Sequence, residues 1–166
     1  MILNPDTLLY VNGTYMWSPE LASAAWSNCY SEVYRSLRTG YNKLIILIGV
    51  PGSGKSTYLS NLSLEDKAIY FDSTLVSKKY RKPLIKAAFN CKVPIEAVFV
   101  DTPIDVCKKR NSCRVKDRQV PPEAFEKWRK LLTRPSFSEG FSKITWITPN
   151  FTKTLSFEDL DEVQEV

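Results

Sequence analysis

The hydrophobic pattern of the chain alternates between short continuous apolar runs and longer segments of helical spacing. The apolar runs occupy residues 43–48, 68–71, 95–100 and 144–147. Runs of this length and composition are typical of strands buried in a parallel sheet. The segments between them carry apolar residues every three or four positions, which indicates amphipathic helices. Strands that alternate with helices predict a three-layer α/β fold with a mainly parallel sheet.

Local signals predict where the individual elements begin and end. Ser18 is expected to cap a helix, with Pro19 at its first position and Glu20 in its first turn. Apolar positions recur at helical spacing as far as Leu37, and Gly40 is expected to end the helix. The other predicted elements are a short strand at Ile2-Leu3, a turn at Asn12-Gly13, helices at 55–62 and 77–90, helices after Thr102-Pro103 and Pro121-Pro122, and a last strand at 144–147.

Length and charge predict one basic domain with an acidic end. The chain has 166 residues, and we expect a single domain over 1–156 followed by a tail at 157–166. The domain is divided into an N-terminal segment (residues 1–42) and a main segment (residues 43–156). The net charge is +5, although the tail after Phe157 has acidic residues and no basic one. The rest of the chain is therefore strongly basic. This favours a polyanionic partner such as nucleic acid, and the alternative is a basic protein without one.

Several classes of protein are disfavoured by what the sequence lacks. No apolar run approaches the ~20 residues of a membrane span, and no signal peptide is recognisable, so we expect a cytoplasmic protein without a membrane partner, in the host cytoplasm if the source is viral. The four cysteines lack metal-ligand spacing and there is no histidine, which disfavours a zinc site. Any general base must then be Asp, Glu or Lys.

A phosphate-binding motif follows the first long apolar strand. Residues 49–56 match G-x-x-x-x-G-K-[ST] and are followed by a helical segment, which is the context that the motif requires. Glycines let backbone N–H groups turn towards phosphates, while Lys55 is expected to reach the β- and γ-phosphates and Ser56 to bind Mg²⁺. The motif predicts a P-loop NTPase or kinase that uses ATP and Mg²⁺. The predicted nucleotide-binding residues are Gly49, Pro51, Gly52, Ser53, Gly54, Lys55, Ser56 and Thr57.

A carboxylate is expected beside the magnesium ion. Asp72 and Asp101 both follow apolar strands, and the carboxyl ends of parallel strands meet at one sheet edge. Asp72 is preferred, because its strand follows the P-loop helix directly and is expected to pair next to the P-loop strand. Either residue can instead be a simple strand-end cap.

Basic residues concentrate in two segments. The first, at 108–118, is interpreted as a lid over the phosphates, in which Arg110 and Arg114 are the functional candidates, whereas Lys108 and Lys109 are interpreted as a solvated helix face. The second lies on the helix at 77–90 and either follows a nucleic-acid backbone or is solvated. Its basic residues are Lys78, Lys79, Arg81, Lys82 and Lys86.

Four runs in the main segment resemble the kinase domain of phage polynucleotide kinases. They are Ile48-Gly49-x-Pro51-Gly52-Ser53-Gly54-Lys55-Ser56-Thr57, Asp72-Ser73-Thr74-Leu75, Val98-Phe99-Val100-Asp101-Thr102-Pro103 and Lys109-Arg110-Asn111-Ser112-x-Arg114. The resemblance covers roughly residues 43–147, and Glu139-Gly140-Phe141 is similar to a further element of related kinases. It implies transfer of the ATP γ-phosphoryl group to a nucleic-acid hydroxyl. It also implies that Lys55 and Arg114 stabilise the transferring charge, that Arg110 supports the lid and that Asp72 orients Mg²⁺.

The N-terminal segment suggests a rearranged order of elements. In the resembled family a strand bearing an aspartate general base follows the P-loop helix, but the interval before Asp72 is too short for it. Ile2-Leu3-Asn4-Pro5-Asp6 resembles that strand end, so we hypothesise a circular permutation with Asp6 as the base. An unrelated helical extension is the alternative. The family has an Arg where this chain has Leu9, which leaves the acceptor open.

The acceptor and the function class have several alternatives at this point. For a kinase of this type, the acceptor is a 5′-hydroxyl of DNA or RNA or, as in phage kinases related to the resembled family, the hydroxymethyl group of 5-hydroxymethyluracil in DNA. Tyr15 or Trp17 is expected either to stack on such a base or to lie in the core. The alternatives are a small-molecule nucleoside or sugar kinase and a nucleotide-binding module without phosphoryl transfer.

Overall fold

The structure is a computed structural model that describes residues 1–157. Apart from Phe157, the predicted acidic tail lies outside the described residues. The strands are β1 (Ile2–Leu3), β2 (Tyr10–Val11), β3 (Thr14–Tyr15), β4 (Lys43–Ile48), β5 (Ala68–Asp72), β6 (Ile95–Val100), β7 (Lys143–Ile147) and β8 (Thr152–Ser156). The helices are α1 (Pro19–Arg38), α2 (Lys55–Ser60), α3 (Lys78–Asn90), α4 (Ile104–Ser112) and α5 (Pro122–Leu131), with 3-10 turns at Pro5–Leu9, Lys116–Arg118 and Phe137–Glu139.

One six-stranded sheet organises the described residues, in the order β1-β5-β4-β6-β7-β8. The first five strands in this order are parallel, and β8 runs antiparallel to β7. The predicted α/β fold with a mainly parallel sheet is therefore confirmed. Asp72 ends β5, and β5 pairs directly with the P-loop strand β4, as the sequence predicted.

Alternate residues of β4 build cores on the two faces of the sheet. Leu44, Ile46 and Ile48 lie in a buried cluster with apolar residues of α1 and α3. Ile45 and Leu47 lie in a second cluster that includes α2. This alternation follows from strand geometry, and it explains why both faces of the strand are apolar. The result is the expected arrangement of helices on both faces of a sheet.

The predicted helix boundaries are confirmed closely. The Ser18 hydroxyl caps α1 by accepting a hydrogen bond from the Leu21 amide at 3.2 Å. The helix ends at Arg38, and Gly40 follows with a left-handed φ of 121°. α3 runs through Pro83 without ending there. Within residues 1–157, no helix combines the length and the apolar composition that a membrane span needs.

β1 is the outermost strand of the sheet and holds the start of the chain there. Ile2 and Leu3 pair in parallel with Tyr70 and Phe71 of β5. The N-terminal ammonium group also donates a hydrogen bond to the Ala68 carbonyl at 2.8 Å. Since β1 is parallel to β5, the residues that follow β1 lie at the carboxyl ends of the strands, as Asp72 and the P-loop do.

One expectation about an individual segment was wrong, and two short strands were not predicted. The strand at 144–147 is not the last, because β8 follows it at Thr152–Ser156. β8 is an edge strand with three exposed residues, so it lacks the continuous apolar run that identified the buried strands. The Asn12-Gly13 turn was predicted, but the short strands β2 and β3 that it joins were not.

Arg81 was wrongly grouped with the residues that can follow a nucleic-acid backbone. Its side chain is wholly buried, and its guanidinium donates two hydrogen bonds of 2.8 Å to the carboxylate of Glu139. A third guanidinium nitrogen donates to backbone carbonyls, among them those of Leu75 and Thr133 at 3.0 Å. Arg81 therefore joins α3, the segment after β5 and the turn at Phe137–Glu139 from inside the protein.

Replacing Glu139 by Gln should destabilise the fold strongly. The change leaves the buried Arg81 charge without its carboxylate, which typically costs about 3–5 kcal/mol in the free energy of unfolding. Urea unfolding measures this loss. Glu126→Gln is the matched control, because it weakens exposed ion pairs with Lys108 and Arg129 and should change the free energy of unfolding little. Equal, small losses in both variants would contradict the structural role given to the Arg81–Glu139 pair.

Candidate active site

The P-loop between β4 and α2 is packed so closely that glycine is required at two positions. Gly52 has a φ of +81°, and a Cβ there would lie 2.6 Å from the carbonyl oxygen of Cys107 in α4. A Cβ on Gly49 would lie 2.7 Å from Oγ of Ser53 and 2.9 Å from the carbonyl oxygen of Val100. Any side chain at either position would displace the loop, so these glycines keep it in a phosphate-binding shape.

The loop borders a cavity of about 440 Å³, within the usual size range for small-molecule sites. The cavity fits a nucleotide, because its lining combines basic and hydroxyl groups with the apolar residues Val100 and Ile147. The buried hydroxyl of Ser53 makes no hydrogen bond within residues 1–157, so an unused donor lies within the loop. Among the predicted residues, the lining includes Gly52, Ser53, Gly54, Lys55, Ser56, Thr57, Arg110 and Arg114.

Lys55 is a buried cation at the start of α2. Its Nζ donates hydrogen bonds to the carbonyl oxygens of Gly49 at 2.8 Å and Val50 at 3.1 Å. Burial lowers its pKa to about 8, and the charge of Arg114 also lowers it, while Asp72 and Asp6 act in the opposite direction. The ammonium group is therefore held at the loop with too little negative charge around it to offset its burial, and a phosphate would supply that charge.

Ser56 and Asp72 form the pair expected at a magnesium site. The Ser56 hydroxyl donates to the Asp72 carboxylate at 2.9 Å. One hydroxyl and one carboxylate suit Mg²⁺, which keeps several waters and takes its other ligands from nucleotide phosphates. Among the side chains that the structure describes, there is no cluster of three or more His, Cys, Asp or Glu that could hold a metal.

Asp101, the alternative carboxylate, has other partners. Its carboxylate accepts a hydrogen bond from the Trp146 indole at 3.3 Å and lies 3.6 Å from the guanidinium of Arg134. These contacts join Asp101 to β7 and to the segment that follows α5. The geometry therefore favours Asp72 for the position beside Ser56.

Asp6 lies in the short 3-10 turn that follows β1. The Asn4 side chain accepts a hydrogen bond from the Asp6 amide at 2.8 Å and donates to Asp72 at 3.4 Å, which links the turn to the strand end of β5. Burial raises the pKa of Asp6, the charge of Asp72 raises it further, and Lys55 and Arg114 lower it. Asp6 thus shares one electrostatic site with the P-loop lysine, although its segment precedes β4.

The lid segment contacts the P-loop through its arginines. Arg110 donates to the carbonyl oxygens of Gly52 and Ser53, both at 3.2 Å. Arg114 lines the same cavity as the loop. Asn111 clamps the lid by exchanging two hydrogen bonds with the Val120 backbone, at 2.9 and 3.0 Å. This clamp is a structural reason for the asparagine in the Arg110-Asn111-Ser112 run.

Sequence reasoning missed two residues that line the cavity and one contact of the lid. Thr148 and Pro149 line the cavity because they follow β7 at the same sheet edge, a position that the strand pattern could have indicated. Arg118 donates a hydrogen bond to the Tyr10 hydroxyl at 2.5 Å, and its guanidinium lies 5.1 Å from the centre of the Tyr10 ring. No local pattern signals that contact, because it joins the lid to a distant segment close to Asp6.

Comparison with known proteins identifies two similarities. Residues 65–135 match the family described as AAA domain, in a segment that begins after the P-loop and includes Asp72 and Arg114. The chain is also similar to the bifunctional polynucleotide phosphatase/kinase of Schizosaccharomyces pombe, at 20% identity over 147 residues, which cover 70% of this chain and 36% of the relative. The chain thus spans about a third of the length of that curated relative.

These similarities support a P-loop kinase. With the parallel sheet and the P-loop cavity, they support a phosphotransferase that binds a nucleotide. A kinase of this type uses ATP, usually with Mg²⁺, and the Ser56–Asp72 pair fits such an ion. The acceptor and the roles of individual residues are taken up below as proposals.

Binding of ATP should be coupled to uptake of a proton by Lys55. With a pKa of about 8, the free lysine is largely neutral at pH 8.5, and phosphate charge should restore its proton. ATP is already fully ionised at pH 8.5, so calorimetry in buffers of different ionisation heat should show net proton uptake on binding. The affinity for ATP should also fall as the pH rises above about 8. Lys55→Arg, which stays protonated, should bind without uptake. Tight ATP binding by the unsubstituted protein with no uptake at pH 8.5 would contradict the lowered pKa.

Proposed function

We propose that this protein is an ATP-dependent kinase that phosphorylates a hydroxyl group of nucleic acid, with Asp6 as the general base. The observation that carries the proposal is the position of Asp6 in the electrostatic field of Lys55, Asp72 and Arg114. An ionised carboxylate near a phosphate-binding lysine is suited to accept a proton at neutral pH. A nucleotide-binding module without transfer has no need of this arrangement.

The proposed reaction uses Lys55, Ser56 and Arg114, which line the cavity. It also uses the carboxylates of Asp72, which accepts a hydrogen bond from Ser56, and of Asp6. Asp6 accepts the proton of the acceptor hydroxyl, whose oxygen forms a bond to the γ-phosphorus of ATP. The bond from that phosphorus to the β–γ bridging oxygen breaks, and ADP leaves with its electron pair. Lys55 and Arg114 stabilise the charge that develops on the phosphates. Ser56 and Asp72 would hold Mg²⁺, which supplies further neutralisation of phosphate charge when it is bound.

The circular permutation is part of the proposal and is supported by the sheet order. β1 is an edge strand parallel to β5, and the turn after it carries Asp6 to the carboxyl edge. The resembled kinases have a base-bearing strand that enters the fold after the P-loop helix. In this chain, β1 would be that strand, encoded ahead of the P-loop, and α1 would be the helix that follows it.

A nucleic-acid acceptor is supported by three observations. The similar protein of S. pombe is named a polynucleotide phosphatase/kinase. The lid is basic and contacts the P-loop. Once the buried Arg81 is set aside, α3 still presents exposed lysines that can follow a phosphate backbone. These are Lys78, Lys79, Lys82 and Lys86.

One observation also supports a second type of acceptor in nucleic acid. Leu9, at the position where the resembled family has an arginine, is buried and cannot contact an acceptor phosphate. Recognition of a 5′ end must therefore use other residues, or the acceptor is a hydroxymethyl group on a base inside DNA. The experiment below separates these acceptors.

Transfer of labelled γ-phosphate from ATP should label the 5′ ends of hydroxyl-terminated DNA or RNA and should require Asp6. The panel also contains end-blocked duplexes with and without 5-hydroxymethyluracil, and free nucleosides. Asp6→Asn should lower kcat by roughly 10²- to 10⁴-fold while ATP binding is kept, because general-base catalysis typically contributes that much. Asp66→Asn, a change at an exposed carboxylate before β5, is the matched control and should leave transfer unchanged.

The other outcomes of this assay each have a defined meaning. Label confined to hydroxymethylated, end-blocked duplex would indicate the base-directed acceptor. Label on free nucleosides alone would overturn the nucleic-acid proposal, and ATP binding without any transfer would indicate a binding module. Full transfer by Asp6→Asn would overturn the assignment of the base and, with it, the argument for the permutation.

A further inference from the structure

An aromatic hairpin lies next to Asp6. Tyr10 of β2 and Tyr15 of β3 pair directly across the hairpin, so their side chains share a face, and their ring centres are 5.3 Å apart. Burial raises the pKa of Tyr15, and the charge of Asp6 raises it further. The shared face is therefore the one within electrostatic reach of Asp6.

Trp17 continues this face beyond the hairpin. The Met16 amide donates to the Leu9 carbonyl at 2.8 Å, which extends the ladder by one residue pair. Alternate residues of an extended segment lie on the same side, so we place Trp17 on the same face of the hairpin as Tyr15. Its side chain is 63% exposed, whereas the other three tryptophans are half-buried. A large aromatic side chain that is left exposed at the end of the hairpin is available to stack on a ligand.

The lid supplies positive charge beside the hairpin. Arg118 binds the Tyr10 hydroxyl and lies against the Tyr10 ring, so the lid and the hairpin meet close to Asp6. A flat aromatic surface with an adjacent guanidinium suits a nucleotide, whose base stacks on the ring while its phosphate pairs with the cation. A purely apolar protein partner would offer no group that pairs with the charge of the exposed Arg118.

We propose that Trp17 and the β2–β3 hairpin form the acceptor subsite, in which the indole of Trp17 stacks on the nucleobase of the nucleotide whose hydroxyl is phosphorylated. Arg118 pairs with the phosphate that follows that nucleotide. Recognition of this kind replaces the arginine contact that the buried Leu9 cannot make. It tolerates any base, because every base has a face to stack. This inference rests on the proposed nucleic-acid kinase function.

Kinetics with two matched acceptors test the subsite. One is a 5′-hydroxyl oligonucleotide, and the other has the same sequence with an abasic terminal nucleotide. Trp17→Ala should raise KM for the first acceptor by roughly tenfold or more, in keeping with base–aromatic stacking, and should leave KM for the abasic acceptor unchanged. Trp17→Phe should restore most of the affinity. Tyr34→Ala, which removes a 42% exposed aromatic from α1, is the control and should change neither value.

A binding measurement without turnover provides the second readout. Tryptophan fluorescence of the Asp6→Asn protein should be quenched by the base-containing oligonucleotide, and the quenching should largely disappear when Trp17→Phe is added. The two possible failures are distinguishable. No transfer to any nucleic acid by the unsubstituted protein would overturn the proposed function, whereas transfer and quenching that are indifferent to Trp17 and to the terminal base would overturn the subsite alone.

Discussion

The site depends on one electrostatic constraint, the burial of the Lys55 ammonium group in the P-loop. Backbone carbonyls of Gly49 and Val50 hold the group, but they do not neutralise it, and its pKa falls to about 8. Negative charge must come from outside the loop, and the carboxylates of Asp72 and Asp6 stand at the same sheet edge. Asp72, Lys55 and Arg114 also act on the pKa of Asp6, so phosphate binding would be coupled to the base catalysis proposed for Asp6.

The parallel sheet makes this assembly possible from distant segments. Parallel strands deliver whatever follows them to one edge, so β1, β4, β5 and β7 each contribute a loop to the same region. Chain order matters little in such an arrangement, because a strand contributes to the site by its place in the sheet and not by its place in the sequence. A base-bearing strand encoded before the P-loop can therefore supply the same group as one encoded after it.

The sequence predicted the elements of the fold that depend on local pattern. The continuous apolar runs indicated β4, β5 and β6, and the rule that parallel strands end at one edge then brought Asp72 to Ser56. Sequence reasoning failed where a residue's partner is far away. Arg81 has the local sequence context of an exposed helix residue, and its partner Glu139 lies 58 residues away in the chain. β8 was missed for a different reason, because three of its residues are exposed and it has no continuous apolar run. The Tyr10–Arg118 contact has no sequence signal, because it arises only when the hairpin and the lid are both in place.

The most direct test of the central claim is the carboxyl pKa of Asp6, measured by ¹³C NMR in the free protein. The account predicts a value above the ordinary 3.8, because burial and Asp72 both raise it. Lys55→Met should raise it further by removing a nearby positive charge, and Asp72→Asn should lower it by removing a negative one. A pKa at the ordinary value that neither substitution moves would mean that Asp6 is a solvated turn residue, outside the field of the P-loop.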